Sequence, residues 1–278
     1  MANAIPIIDR MMFRRFNEWR KQRTIARYSF ADDAWRAALA PYRFFDRLTA
    51  DENRRLRELV SLFCAEKEFA PGNDFQITLQ TQLQIAAQAC LPILNLDLSF
   101  YGGWHGIIVY AGEVMVRREE IDDDGVVHTY NDVISGEAMP GGPVVLSWED
   151  VKLAGSNESP GYNVVIHEFA HKIDMLKGDA TGVPPFFSAF HRDLNGREFE
   201  AAMATAYAAF AAEVERWERG GDNTSEDDAP LIDPYAAEHP SEFFAVLSEA
   251  FFTRPEDVQD EFPELYRLLA LYYRQQPL

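Results

Sequence analysis

The run Val165-Ile166-His167-Glu168-Phe169-Ala170-His171 constrains this chain more than any other feature. A helix turns once in about 3.6 residues, so His167 and His171 lie one above the other on a single helix face. Two imidazoles stacked in this way can grip one metal ion. Glu168 projects about 100° further round the axis and can reach a water on that ion without binding the ion itself. This is the HExxH arrangement of zinc-dependent hydrolases. The flanks suit a helix: Asn163 can cap its start, Lys177-Gly178 resembles a stop, and Val164, Val165, Phe169 and Ala170 are apolar. The competing expectation is a core helix with two hydrogen-bonded histidines and one exposed Glu.

Composition bounds the rest. A chain of 278 residues can bury a substantial core. No apolar run approaches the ~20 residues that span a bilayer, and no signal-peptide pattern follows Met1, so a cytoplasmic protein without a membrane partner is expected. Cys64 and Cys90 each sit in an apolar helical pattern, which favours buried thiols over a disulfide. The net charge of −19 argues against direct nucleic-acid binding. It is unevenly spread: residues 1–57 hold 13 Lys/Arg against 7 Asp/Glu, a surplus of +6, so the remainder carries −25. The basic stretch Arg10 to Arg27 bears Phe13, Phe16 and Trp19 at helical spacing. It reads as an amphipathic segment docked on its own acidic body, in preference to a free partner-binding or membrane-surface arm.

Along the chain, Thr49-Ala50-Asp51-Glu52 reads as a capping box ahead of Leu56, Leu59, Val60 and Phe63. A second helix is expected from Leu79 to about Cys90, ended by Pro92. The period then changes. Gly106 to Tyr110, Glu113 to Arg117, Val126 to Asn131 and Val144 to Trp148 read as strands, with the HExxH helix following. A long helix is expected over Phe199 to Arg219, an acidic connector over Gly220 to Pro230, a helix from Pro240 to Phe252, and a last helix over Phe262 to Arg274. The strand Val144 to Trp148 could serve as an edge strand, presenting Val145, Leu146, Ser147 and Trp148 to an extended substrate backbone. A plain sheet strand is the alternative.

A catalytic zinc takes three protein ligands and keeps one position open. Three carboxylates are candidates for the third. Asp174 lies three residues past His171 on the same helix face, where a carboxylate can ligate or, more commonly, orient a ligand histidine. Glu242 and Glu249 are seven apart and share one face of the Pro240 helix, so one could ligate while the other supports. The neighbours Phe243, Phe244, Phe251 and Phe252 imply a buried helix, and a buried carboxylate must be paired or metal-bound. Spacing alone does not separate Glu242 from Glu249.

Four stretches carry a resemblance: Ile85-Ala86-Ala87-Gln88-Ala89-Cys90-Leu91, Gly142-Pro143-Val144-Val145-Leu146-Ser147-Trp148, Asn163 to Asp174, and Tyr235-Ala236 through Glu242-Phe243-Phe244-Ala245. Together they resemble the Mlc titration factor A family, bacterial cytosolic zinc metallopeptidases of the gluzincin kind whose catalytic part is similar to that of anthrax lethal factor. The resemblance runs from about Phe69 to about Phe252. In that family a Tyr stands seven residues before the third ligand Glu, as Tyr235 stands before Glu242 here. The resemblance therefore implies His167, His171 and Glu242 as ligands of one Zn2+ per chain, Glu168 as general base, and Tyr235 as donor to the oxyanion. Asp174 and Glu249 are left as supporting residues. It further implies a peptide substrate and, through the family name, a transcriptional repressor as protein partner. A repressor-sequestering protein that does not need its metal site is the alternative function. The expected fold is α+β, a zincin-like core with a small mixed sheet, the HExxH helix and a mainly helical remainder. Residues 1–68 would form a helical N-terminal region with a basic arm, and 69–278 the metallopeptidase domain.

Overall fold

The computed structural model describes residues 7–121, 127–154, 161–220 and 229–278, with side chains described outside 7–15 and 116–132. In chain order the elements are α1 (Ile7–Arg27), α2 (Asp32–Leu39), α3 (Ala50–Glu66), β1 (Glu68–Pro71), α4 (Leu79–Cys90), β2 (Gly106–Tyr110), β3 (Val114–Ile121), β4 (Val127–Ile134), β5 (Gly136–Ala138), β6 (Val144–Ser147), α5 (Trp148–Leu153), α6 (Val164–Asp174), α7 (Gly196–Gly220), α8 (Pro240–Thr253), α9 (Pro255–Glu261) and α10 (Pro263–Tyr273). Short 3-10 turns occupy several of the connections. This is an α+β architecture with a small mixed sheet.

Local chemistry sets the helix starts. Thr49 Oγ1 accepts from the Glu52 N–H at 3.2 Å while Glu52 Oε2 accepts from the Thr49 N–H at 2.9 Å, so the expected capping box opens α3. Thr78 and Thr81 close the same reciprocal pair at the head of α4. From Leu83 to Cys90 every residue of α4 is buried, which makes it a helix enclosed on all sides. Cys90 is buried, Cys64 is partly so, and both are free thiols. The core is one hydrophobic cluster running from Trp35 to Tyr273, with α4, α6 and α8 through its middle.

The sheet order is β1-β2-β6-β5. β1, β2 and β6 run parallel, and β5 joins antiparallel to β6 with Gly136 opposite Leu146. β3 and β4 form a separate antiparallel pair. Two sequence expectations need correction here. Val145, Leu146 and Ser147 do not lie on an edge strand: β6 is hydrogen-bonded on both sides, and all four of its residues are buried. An almost wholly apolar run suits an interior strand shielded on both faces. Trp148 is not in the strand either. It begins α5, where Ser147 Oγ accepts from the Asp150 N–H. In chain order α5 thus stands between the sheet and the HExxH helix. The edge beside that helix belongs to β5, three residues long and headed by a glycine.

α1 packs along α3 and leaves Phe16 and Trp19 about half exposed, with the Arg23 guanidinium over the Trp19 ring at 5.4 Å. The acidic connector expected over Gly220 to Pro230 falls, for residues 221–228, outside the described residues. Among the described residues no helix is long and apolar enough to cross a membrane.

Candidate metal centre

α6 is held at its head by Asn163. The Asn163 Oδ1 accepts from the Ile166 N–H at 2.9 Å, and its Nδ2 donates to Gln88 Oε1 of α4 at 2.9 Å. The cap thus fixes the helix start and ties it to the buried helix beneath. Val165, Ile166, Phe169, Ala170 and Ile173 are completely buried. Opposite lies α8, begun by Pro240 at its first position and capped by His239. Phe243, Phe244, Leu247 and Phe251 of α8 are completely buried, and truncating any one of the Phe rings would cost about 3–5 kcal/mol. Packing of that order holds the carboxylates of α8 in a fixed position against α6.

Three atoms converge between the two helices. His167 Nε2 and His171 Nε2 are 3.1 Å apart, and Glu242 Oε2 lies 3.1 Å from the first and 3.2 Å from the second. His167 Nδ1 lies 2.6 Å from Glu249 Oε1, and with a proton on Nδ1 shared with that carboxylate the Nε2 atom is the one available to a metal ion. Three atoms that can each ligate a metal ion thus point at one spot, and in the metal-free protein protons on the imidazoles bridge them to the Glu242 carboxylate. Two imidazoles and one carboxylate form a donor set that could hold a metal ion. His167, His171 and Glu242 are the group of ligating side chains found among the described residues.

The surrounding electrostatics follow from burial and charge. Burial works against charge on His167, but Glu249, Glu242 and Glu168 hold its pKa well above the usual imidazole value. Burial would raise Glu242, yet the hydrogen bonds of both imidazoles hold it far below the usual carboxylate range. Glu168 is pushed upward by burial, partly offset by the two histidines. Its carboxylate stands outside the convergent trio and borders a cleft of about 350 Å³. Ile134, Gly136 and Ala138 line one wall of that cleft, and Tyr235 and Ser241 another. Tyr235 stands on the 3-10 turn Pro234–Ala237, where Asp233 Oδ1 accepts from its N–H at 2.9 Å. Its ring centre is 6.1 Å from that of His167, and the residue is 46% exposed, enough for the hydroxyl to meet a ligand in the cleft. A larger groove, about 730 Å³ between α1, α3 and residues 94–99, holds no such ligating group among the described residues.

Two carboxylates expected as supporting residues occupy different places. Glu249 holds His167 through Oε1, and its Oε2 accepts from the Asn163 N–H. Asp174, by contrast, has its hydrogen bonds directed to a loop and not to a histidine ring: Oδ2 accepts from the Thr181 N–H at 2.8 Å and the Gly182 N–H at 2.7 Å. That loop crosses the start of α8 so closely that a Cβ on Gly182, whose φ is +79°, would lie 2.3 Å from Pro240 O. Asp174 therefore braces the two helices at their ends through a backbone strut. Val145, Leu146, Ser147 and Trp148 do not line the cleft. Sequence reading missed β5 and Lys172. The Lys172 Nζ donates to Met139 O at 2.5 Å and Gly142 O at 2.8 Å, tying the turn after β5 to α6. A lysine within an otherwise apolar helix was the available signal.

Two helices aim a pair of imidazoles and a carboxylate at one point, with a buried glutamate beside them in an open cleft, an arrangement that could hold a metal ion. The chain belongs to the glucose-regulated metallo-peptidase M90 family, whose sequence model matches residues 16–274. It is 37% identical over 247 residues to the Mlc titration factor A of Pectobacterium atrosepticum, covering 88% of this chain and 86% of that one. It is also 37% identical over 231 residues to the proteins of that name from Escherichia coli and Shigella flexneri, covering 83% of this chain and 82% of theirs.

Proposed function

We propose that this chain is a zinc-dependent peptidase whose ion is held by His167, His171 and Glu242. The observation that carries this reading is the convergence of three potential ligand atoms within 3.2 Å of one another beside a fourth, non-convergent carboxylate. A bound zinc ion supplies Lewis acidity and lowers the pKa of water to about 7. Glu168 takes the proton of the attacking water and returns it to the leaving amine. Tyr235 donates its hydroxyl to the oxyanion that develops on the peptide carbonyl. Glu249 keeps His167 in the tautomer that offers Nε2. The substrate backbone lies extended along β5, the edge strand of the sheet at the cleft.

Elemental analysis is expected to find about one zinc per chain, lost when His167→Ala and His171→Ala are combined. Retention of a full complement by that double variant would refute the site. The binding should also depend on pH in one direction. In the metal-free protein His167 has a pKa above its ordinary value, so the metal must displace a proton. Affinity should rise with pH through the folded pKa of His167 and level off above it. Calorimetry in buffers of different ionisation enthalpy measures the protons released. An affinity independent of pH from about 6 to 8 contradicts this account.

Glu242 and Glu249 separate by metal affinity. Loss of a residue supporting a ligand typically costs ~10–100-fold, and loss of the ligand itself costs more. Glu242→Ala is therefore expected to weaken zinc more than Glu249→Ala in a competitive chelator titration, and the reverse order would interchange their roles.

A second reading rests on the relatives' name, which states that they titrate Mlc. On that reading the chain binds a regulatory protein, a transcriptional repressor, and hydrolysis is not its main role. The two readings are compatible, and Glu168→Gln separates them, since it should end hydrolysis and leave such binding intact.

A further inference from the structure

We propose that Gly136 is a positioning residue whose missing side chain forms the seat of the Glu168 carboxylate. The inference rests on the reading of Glu168 as general base. A Cβ built on Gly136 would lie 2.5 Å from Glu168 Oε1, 2.8 Å from Glu168 Cγ and 2.7 Å from Val164 Cγ2. All three distances are shorter than a carbon atom tolerates. Gly136 is not among the residues with positive φ, so the backbone conformation does not call for glycine here. Space does.

The surroundings decide which side yields. Val164, Glu168 and Lys172 are spaced four apart and share the face of α6 turned toward β5. Val164 is β-branched and 3% exposed, so it has little freedom to move away. β5 cannot retreat either. Its ladder to β6 fixes one side, and Lys172 holds the carbonyls of Met139 and Gly142 just beyond its end. The soft partner is the Glu168 side chain. A methyl group at position 136 therefore presses on Val164 Cγ2, which can give only slightly, and chiefly drives the Glu168 carboxylate, close at two atoms, out of its place, while His167 and His171, on the neighbouring face of the helix, keep theirs. Gly136 thus sets where the base stands relative to a substrate laid along the same strand.

The test uses Gly136→Ala in the full chain, with zinc content, the absorption spectrum of the cobalt-substituted protein, and steady-state kinetics on a peptide substrate. Zinc content and cobalt spectrum should match the parent, KM should hold, and kcat should fall about ten- to a hundredfold, as a misplaced group costs. In a Glu168→Gln background the same substitution should lower the residual rate by no more than about twofold, because the group it displaces is already disabled. A normal kcat, a rise confined to KM, or a full additional loss in the Glu168→Gln background each overturns the proposal. The last two would mean that the glycine serves substrate approach or the strand alone. Should Gly136→Ala not fold, Glu168→Ala removes two of the three close contacts. The combined variant must then fold where Gly136→Ala alone does not, and failure to do so also overturns it. If Glu168→Gln by itself turns over normally, it is the base assignment that fails, a result distinct from any of these.

Discussion

Glu168→Gln in the zinc-loaded protein is expected to hold its metal and lose at least ~10²-fold in peptide hydrolysis, the typical worth of a positioned base. The geometry makes the two readouts independent. Glu168 is 5% exposed and sits one residue from His167, yet its carboxylate is not among the three atoms that converge. Glutamine has the same shape, so the packing against β5 survives while the proton acceptor is gone. Burial already pushes the Glu168 pKa upward, toward the range in which a base works best near neutral pH. Single-turnover hydrolysis by protein of verified zinc content measures the effect. Near-normal turnover by the zinc-loaded variant would reject the role.

Tyr235→Phe is expected to lower kcat by ~10²–10³, the measured cost of a lost oxyanion donor elsewhere, with KM nearly unchanged. The ring is placed by backbone features that the substitution leaves alone, namely Pro234, the Asp233 cap on the Tyr235 N–H, and the 3-10 turn. Only the hydroxyl disappears. A donor that acts once charge has developed on the substrate oxygen influences the transition state and not ground-state binding. If the tyrosine merely packs beside His167, the phenylalanine ring packs as well and the rate stays at the parental level. Steady-state kinetics on matched zinc-loaded proteins decide between the two.

Much of this site was legible as a string of residues because the relevant spacings are local. His167 and His171 are one helical turn apart whatever the rest of the chain does. The Asn163 cap and the Thr49 capping box are likewise satisfied within four residues. The helix from Leu79 to Cys90 and the start of α8 at Pro240 were equally plain, since caps and prolines act on their own neighbourhood. Gln88 was harder to read. It is completely buried and completes the tie from α4 to Asn163, and its only signal was an amide within an apolar helix.

The sequence by itself determined which residues could bind a metal and the helices that carry them, because the 3.6-residue period converts spacing into a shared face. Spacing left Glu242 and Glu249 equivalent, since both lie on that face, and only the family resemblance favoured Glu242. Tertiary packing distinguished them. The crossing of α8 over α6 sets Glu242 Oε2 against both Nε2 atoms and Glu249 Oε1 against Nδ1, on opposite sides of one imidazole ring. The sheet edge was decided in the same way. β6 has the apolar pattern of a strand, but whether a strand is interior depends on a partner, and that partner is the three-residue β5. So short a segment, opened by a glycine, has too few residues for a period to show. Asp174 was placed on the right helix face and yet reaches a loop seven residues on in place of the ring, because a carboxylate at a helix end meets free backbone N–H groups there. Contacts made within one turn of chain are written in the order of residues, whereas those made between elements exist only once the chain has folded.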